Sequence, residues 1–253
     1  MSQPLAPTPA PAVLDVLRAP FGALAGVRAE HGWARPWLIV AVAGVLYGVL
    51  YLARFDLAAI QAAQSARGLD RLPAAQRKEL ERPEVKEIME KAARATALGT
   101  KAWLVLGPPV AGLARIGFTA AFVLAICALL RGRGAIVEPR LAAAVAAHAG
   151  LVDLVGLAAR AVAAAAGQYA PLTSLGNLAD PADQPVAFAA LACVDPVALC
   201  GWLAVAGGLA GACRVPRRMA LALAACGWAA VSALAVAMGA FAQLAQGLSK
   251  GGA

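Results

Sequence analysis

Charge and aromatic rings are what this chain has least of. Asp, Glu, Lys and Arg make up 14% of its 253 residues, against roughly 25% in soluble globular domains, which excludes an ordinary water-facing surface. Phe, Trp and Tyr supply only 6%, so the 61% hydrophobic content comes mainly from Ala, Val and Leu, which with 25 Gly make a composition suited to thin, closely packed helices. Histidine occurs twice, as His31 and His148, too few to make a metal cluster on their own. There is no H-E-x-x-H, no G-x-S-x-G and no glycine-rich loop leading to Lys and Ser or Thr, and Gly107 to Pro109 lacks both the length and the lysine of a phosphate loop. The chain therefore reads as a non-enzyme, without catalytic residues, metal or cofactor.

Other absences narrow the class further. No ten-residue segments of alternating polarity occur, which excludes an outer-membrane barrel. No basic stripe is interleaved with aromatics, so nucleic acid is not expected as a partner. The five cysteines, Cys127, Cys193, Cys200, Cys213 and Cys226, form no C-x-x-C pair and fall in or beside apolar runs, where thiols serve as small apolar filler rather than disulfides. Residues 1–12 are Pro-rich, lack the basic then apolar order of a signal peptide, and read as a disordered tail.

What is there is a series of uncharged or nearly uncharged runs, each close to the roughly 20 residues needed to cross a hydrocarbon core of about 30 Å. They predict an all-α polytopic membrane bundle with spans at 36–53, 109–130, 141–166, 197–213 and 219–242. Pro36 and Trp37 open the first span, and Pro108 and Pro109 mark a break in the long run from 102 to 130. Gly44 and Gly48 form one G-x-x-x-G face and Gly207 and Gly211 another, while Ala225, Ala229, Ala233 and Ala237 make a small-residue face on the last span. Ahead of the bundle, residues 13–35 carry apolar positions at helical spacing interrupted by Pro20, the pattern of a segment lying in the membrane interface.

The connectors differ from one another in charge. Residues 54–101 hold ten Lys or Arg and seven Asp or Glu, with Val85, Ile88, Met89 and Ala92 on one helical stripe and Glu87–Lys91 and Glu90–Arg94 at ion-pair spacing. This predicts a charged helical arm, with Pro83 starting its second half. The loop 167–196 has no Lys or Arg and a short helical stretch at 186–193, and Asp195 followed by Pro196 reads as an N-cap and first turn. Arg131, Arg133 and Arg140 precede the third span, and Arg214, Arg217 and Arg218 separate the last two. These six are candidates for headgroup or partner contacts, and their clustering places the N-terminus in the cytoplasm and the C-terminus, with its tail 246–253, outside. The basic content of the arm argues the opposite way.

Four ionisable residues fall inside predicted spans: Arg115, His148, Asp153 and Arg160. Ionisable groups at such depth are costly and are functional candidates. Counting from the span ends at 1.5 Å per residue puts Arg115 roughly 9 Å from one face and Asp153 roughly 18 Å from the other, nearly the same level. An Arg115–Asp153 ion pair between spans two and three is the expectation, with Arg160 reaching an interface and His148 available to a proton or solute path.

The order of these parts resembles the Yip domain family, five-span membrane proteins known as Rab-GTPase interactors, in its bacterial branch. The resemblance covers residues 14–242 and is carried by LRAPFGALAGVRAEHGWARPWLI, by RLPAAQRKELERPEVKEIMEKA followed by GPPVAGLARIGF, and by LGNL followed by VDPVALCGWLAVAGGLA and RVPRR. The eukaryotic branch's aspartate-leucine-tyrosine-glycine-proline signature is missing, so Rab binding is not carried over. The resemblance implies five helices, a cytoplasmic N-terminus, a bacterial inner-membrane location, and a role in organising or escorting other membrane components, with membrane lipids and other membrane proteins as partners. Two other functions compete with it: an accessory subunit of a respiratory or export complex, and a transport subunit using Arg115, Asp153 and His148.

Overall fold

The computed structural model describes residues 9–60, 82–168, 173–179 and 184–251. The start of the Pro-rich tail, the part of the charged arm at 61–81, the loop positions 169–172 and 180–183, and the last two residues lie outside the described residues. Those described form helices and connecting loops with no strand. Two short helices, α1 (Val13–Arg18) and α2 (Pro20–Ala25), precede α3 (Ala34–Arg54), which covers the first predicted span. The long helix α4 (Pro83–Leu129) follows. Next come α5 (Pro139–Ala149), a 3-10 turn at Gly150–Val152 and α6 (Asp153–Ala165), which together make the third apolar run. The chain ends in α7 (Pro185–Ala192), α8 (Pro196–Ala210) and α9 (Arg217–Gly251).

Four of these units, α3, α4, α5–α6 and α9, are long and apolar enough to cross a membrane. A fifth exists if α7 and α8, bent by 46° at their junction, count as one crossing. The reason lies in the sequence between them. Asp195 caps α8 by accepting the Val197 N–H at 2.8 Å, and Pro196 opens its first turn, so a new helix starts where an unbroken span would continue. Alone, α8 has 15 residues, about 22 Å of helix, short of the roughly 30 Å required.

Span two differs from its predicted form. Pro108 and Pro109 do not break the helix, which runs for 47 residues from the exposed arm through to Leu129. Prolines at these positions remove the N–H groups that would bond the Leu104 and Val105 carbonyls. The Leu104 carbonyl oxygen instead lies against Gly48 of α3, so close that a Cβ there would run into it, and Pro108 itself lies on Gly44. A carbonyl left without its donor thus meets a Cα–H across the seam, a weak but recurrent contact where backbones touch. Trp37 adds a stronger bond, donating its Nε1–H to the Pro109 carbonyl at 3.2 Å.

The second glycine pair has a different occupant. Gly207 and Gly211 of α8 face the Phe21 carbonyl and Ala25, so α2 fills the face. One side of residues 13–31 consequently packs into the bundle: Val16 and Leu24 are 0% exposed and Val27 2%, inside the same core as Val123, Val145 and Leu209. Arg217 rests over the Phe21 ring at 4.9 Å and ties this wedge to the start of α9. The alanine face of α9 is unlike either glycine face, since Ala225, Ala229, Ala233 and Ala237 are all exposed.

Backbone approach at Gly48 and Gly207 makes a sharp stability prediction. Gly48→Ala and Gly207→Ala each lower stability by about 1–3 kcal/mol, the usual cost of overpacking, while Gly117→Ala, whose Cβ meets nothing within 4 Å, gains about 0.5 kcal/mol from helix propensity. Melting curves in one mild detergent check the contrast.

Candidate functional site

Because α4 is continuous, the depth of Arg115 has to be counted again. Its nearest charged neighbours along the helix are Lys101 and Arg131, roughly 21 Å and 24 Å away at 1.5 Å per residue. Arg115 therefore sits near the middle of the apolar run. The value of about 9 Å expected from the sequence assumed a break at Pro109.

Asp153 reaches the same level from the other side of the seam. It is the first residue of α6, placed by the 3-10 turn Gly150–Val152, and its Oδ2 accepts from the Arg115 guanidinium in a direct ion pair. The side chains are 43% and 26% exposed, so the pair is reachable rather than sealed. Arg160, two turns further along α6, donates its Nε–H to the Gly156 carbonyl at 3.1 Å. Among the described residues no carboxylate lies within ion-pair distance of Arg160.

These three side chains form the partition between two cavities. The larger, about 390 Å³, lies between α3, α4 and α6, with Tyr47, Trp103, Leu104 and Leu157 in its walls. The smaller, about 260 Å³, lies towards α8 and α9 beside Phe118, Trp202 and Val231. Asp195 also lines the smaller cavity, but both its oxygens are engaged, Oδ1 by the Val197 N–H at 2.8 Å and Oδ2 by the Thr173 hydroxyl at 2.7 Å.

His148 is not brought to the pair. It is 2% exposed, its Nδ1–H donates to the Ala144 carbonyl at 2.8 Å, and its ring lies 6.4 Å from that of His31. A carbonyl can only accept, so this bond fixes the proton on Nδ1 when the ring is neutral. Gly44, Gly48, Gly207 and Gly211 are occupied within the chain, as described above. Arg131, Arg133, Arg140, Arg214, Arg217 and Arg218 are all exposed, and their two turns are joined by the Ile136 N–H to Cys213 carbonyl bond at 3.0 Å.

Tyr47 and Trp103 in the larger cavity, and the second role of Asp195, went unread in the sequence. Tyr47 had a legible signal, sitting one residue before Gly48 on a helix already marked for close packing. The Cys127 and Cys213 thiols, read as separate filler, are both buried in one core cluster. Among the described residues no three His, Cys, Asp or Glu side chains are grouped to hold a metal.

No family model, no curated protein and no solved structure matches the chain. The chemistry this arrangement supports is electrostatic: fixed charges held at depth, facing space large enough for a ligand.

Arg115→Ala and Asp153→Ala each destabilise the protein, by about 1 kcal/mol because the pair is partly exposed. The double variant loses less than the sum by at least about 0.5 kcal/mol. Detergent melts of the four proteins of this cycle check it, and strict additivity would mean that the two side chains are uncoupled.

Proposed function

We propose that this chain is a non-enzymatic, five-span membrane protein, Yip-like in its order of parts, that organises or escorts other components of a bacterial inner membrane. In this reading α7 and α8 form one bent crossing, and the arginine-rich end faces the cytoplasm, with the N-terminus on that side and the C-terminus outside. The continuity of α4 supports the assignment of sides. Lys101, at the foot of the arm, and Arg131, at the basic turn, lie about 45 Å apart along one helix axis, so arm and turn emerge at opposite ends. The described part of the arm carries Lys86, Lys91, Arg94 and Lys101 on a folded helix, whereas Arg131 and Arg133 sit in a short turn at a span end, where basic residues count most towards orientation.

One observation carries the role. Arg214 adopts φ 59°, the left-handed region in which glycine is favoured, at a cost of roughly 1 kcal/mol for a residue with a Cβ. An arginine held in a glycine conformation, exposed and beside Arg217 and Arg218, fits a role in contact rather than in folding. Anionic headgroups and acidic partner segments are the chemistry that such a cluster engages. Both glycine faces are filled from within the chain, so helix contacts with other proteins would use exposed apolar faces such as that of α9, where the alanine stripe, Leu234, Met238 and Phe241 are exposed.

The larger cavity favours a second reading, a subunit that binds or passes a solute at Arg115 and Asp153. His148 stands apart from that path.

The contact reading is tested by Arg214→Gly combined with Arg131→Gln. The Arg214→Gly change alone raises stability by about 1 kcal/mol. In gentle-detergent pulldown from native membranes the pair of changes reduces the co-purifying membrane partner by about fivefold, equivalent to roughly 1 kcal/mol. Full retention of the partner, or purification of the wild-type chain with none, contradicts the proposal.

A further inference from the structure

The larger cavity presents an imbalance of charge at a depth where imbalance is costly. Its wall holds two guanidinium groups, Arg115 and Arg160, and one carboxylate, Asp153, a formal sum of +1. Arg115 is satisfied by Asp153. Arg160 uses Nε on its own helix backbone, and its terminal nitrogens have no carboxylate among the described residues. The smaller cavity does not share the imbalance, since Asp195 joins its lining. A guanidinium with no carboxylate partner among the described residues, set among apolar helices, calls for an anion, and a fork of N–H donors suits a carboxylate or phosphate oxygen pair.

The remainder of the wall is apolar. Val40, Leu104, Ala111 and Leu157 surround the charged end, with the rings of Tyr47 and Trp103 beside them. At about 390 Å³ the space falls in the range of small-molecule sites, roughly 300–1,000 Å³, and has their usual form of a few convergent polar groups in an apolar cleft. A small inorganic anion would leave those apolar walls uncovered. An amphiphile satisfies both parts.

We propose that this cavity binds an anionic amphiphile, its acid group held by Arg160 and Arg115 and its hydrocarbon tail laid along Val40, Leu104 and Leu157. The acid group is a carboxylate or a phosphodiester, the two forms in which a membrane supplies one negative charge on a hydrocarbon chain. Asp153 is a positioning residue that orients Arg115, and the net positive charge of the wall disfavours the cationic half of a zwitterionic headgroup. The inference rests on the membrane reading above but not on the arginine-rich end or on any protein partner.

The test uses the purified, delipidated full chain in a nonionic detergent, titrated separately with phosphatidylglycerol, oleate and phosphatidylcholine and read by native mass spectrometry. The wild type binds one anionic amphiphile per chain and phosphatidylcholine at least about tenfold more weakly, a difference of roughly 1.4 kcal/mol. Binding to phosphatidylglycerol alone identifies a phosphodiester, and binding to oleate alone a carboxylate. Arg160→Gln weakens the anionic ligand by about tenfold, Arg160→Lys less, and Arg133→Gln at the basic end not at all. Leu157→Trp, which fills the tail region and leaves every charge in place, gives an independent loss should Arg160→Gln fail to fold. The proposal is overturned if neither anionic amphiphile is retained, if phosphatidylcholine binds equally well, or if Arg160→Gln and Leu157→Trp fold and bind like the wild type. Equal loss in Arg133→Gln would also overturn it and would move the site to the arginine-rich end.

Discussion

A hydrocarbon interior offers a backbone carbonyl no partner, and much of this structure follows from where the chain finds one. Pro108 takes the expected donor from the Leu104 carbonyl, and Gly48 on α3 lets that oxygen lie against a neighbouring backbone. The same contact sets the register of α3 on α4, with Gly44 at Pro108 and Trp37 bonded to the Pro109 carbonyl. With glycine at the closest points of the seam, dispersion between apposed helices supplies the cohesion that the hydrophobic effect supplies in water. Gly207 and Gly211 repeat the device for a different guest, the short helix α2, and so draw the wedge 13–31 into the core.

That packing also determines where charge can sit. The register of α4 against α6 brings Arg115 and Asp153 to one level, so two costly groups share one polar island. Small residues flank the island: Gly107, Ala111 and Gly112 line the larger cavity and Ala146, Ala149 and Gly201 the smaller. The composition that permits tight seams therefore leaves open space wherever two helices diverge. Tight seams and the space beside the ion pair both draw on the small residues of the sequence.

The helices themselves were legible because hydropathy is a property of contiguous residues. Uncharged or nearly uncharged runs located α3, α5–α6 and α9, and Asp195–Pro196 marked the start of α8. Opposite charges on neighbouring apolar runs suggested the Arg115–Asp153 pairing, but the depth counted for Arg115 assumed a break at Pro109 that the continuous helix does not have. Three features escaped. Pro108–Pro109 signals a break by a rule of the isolated helix, and the compensating Gly48 lies more than fifty residues away in sequence. The pattern of residues 13–35 specifies an apolar face but not whether lipid or protein covers it, and the protein does. The larger cavity draws Tyr47, Trp103 and Leu157 from three helices, a coincidence that no local spacing encodes.

All of this supposes that the apolar helices cross a bilayer, so that the turn at 131–133 and the loop at 173–179 lie on opposite sides. Sidedness can be measured directly in sealed vesicles with a charged, membrane-impermeant maleimide, using a chain whose five native cysteines are replaced and which carries a single cysteine at Gly132→Cys or Leu178→Cys. Gly132 has nothing within 4 Å of an added Cβ and Leu178 is 75% exposed, so both tolerate the probe. The account predicts that the reagent reaches only one of the two positions in sealed vesicles, only the other in inverted vesicles, and both after detergent. Labelling of both positions from the same side would contradict it.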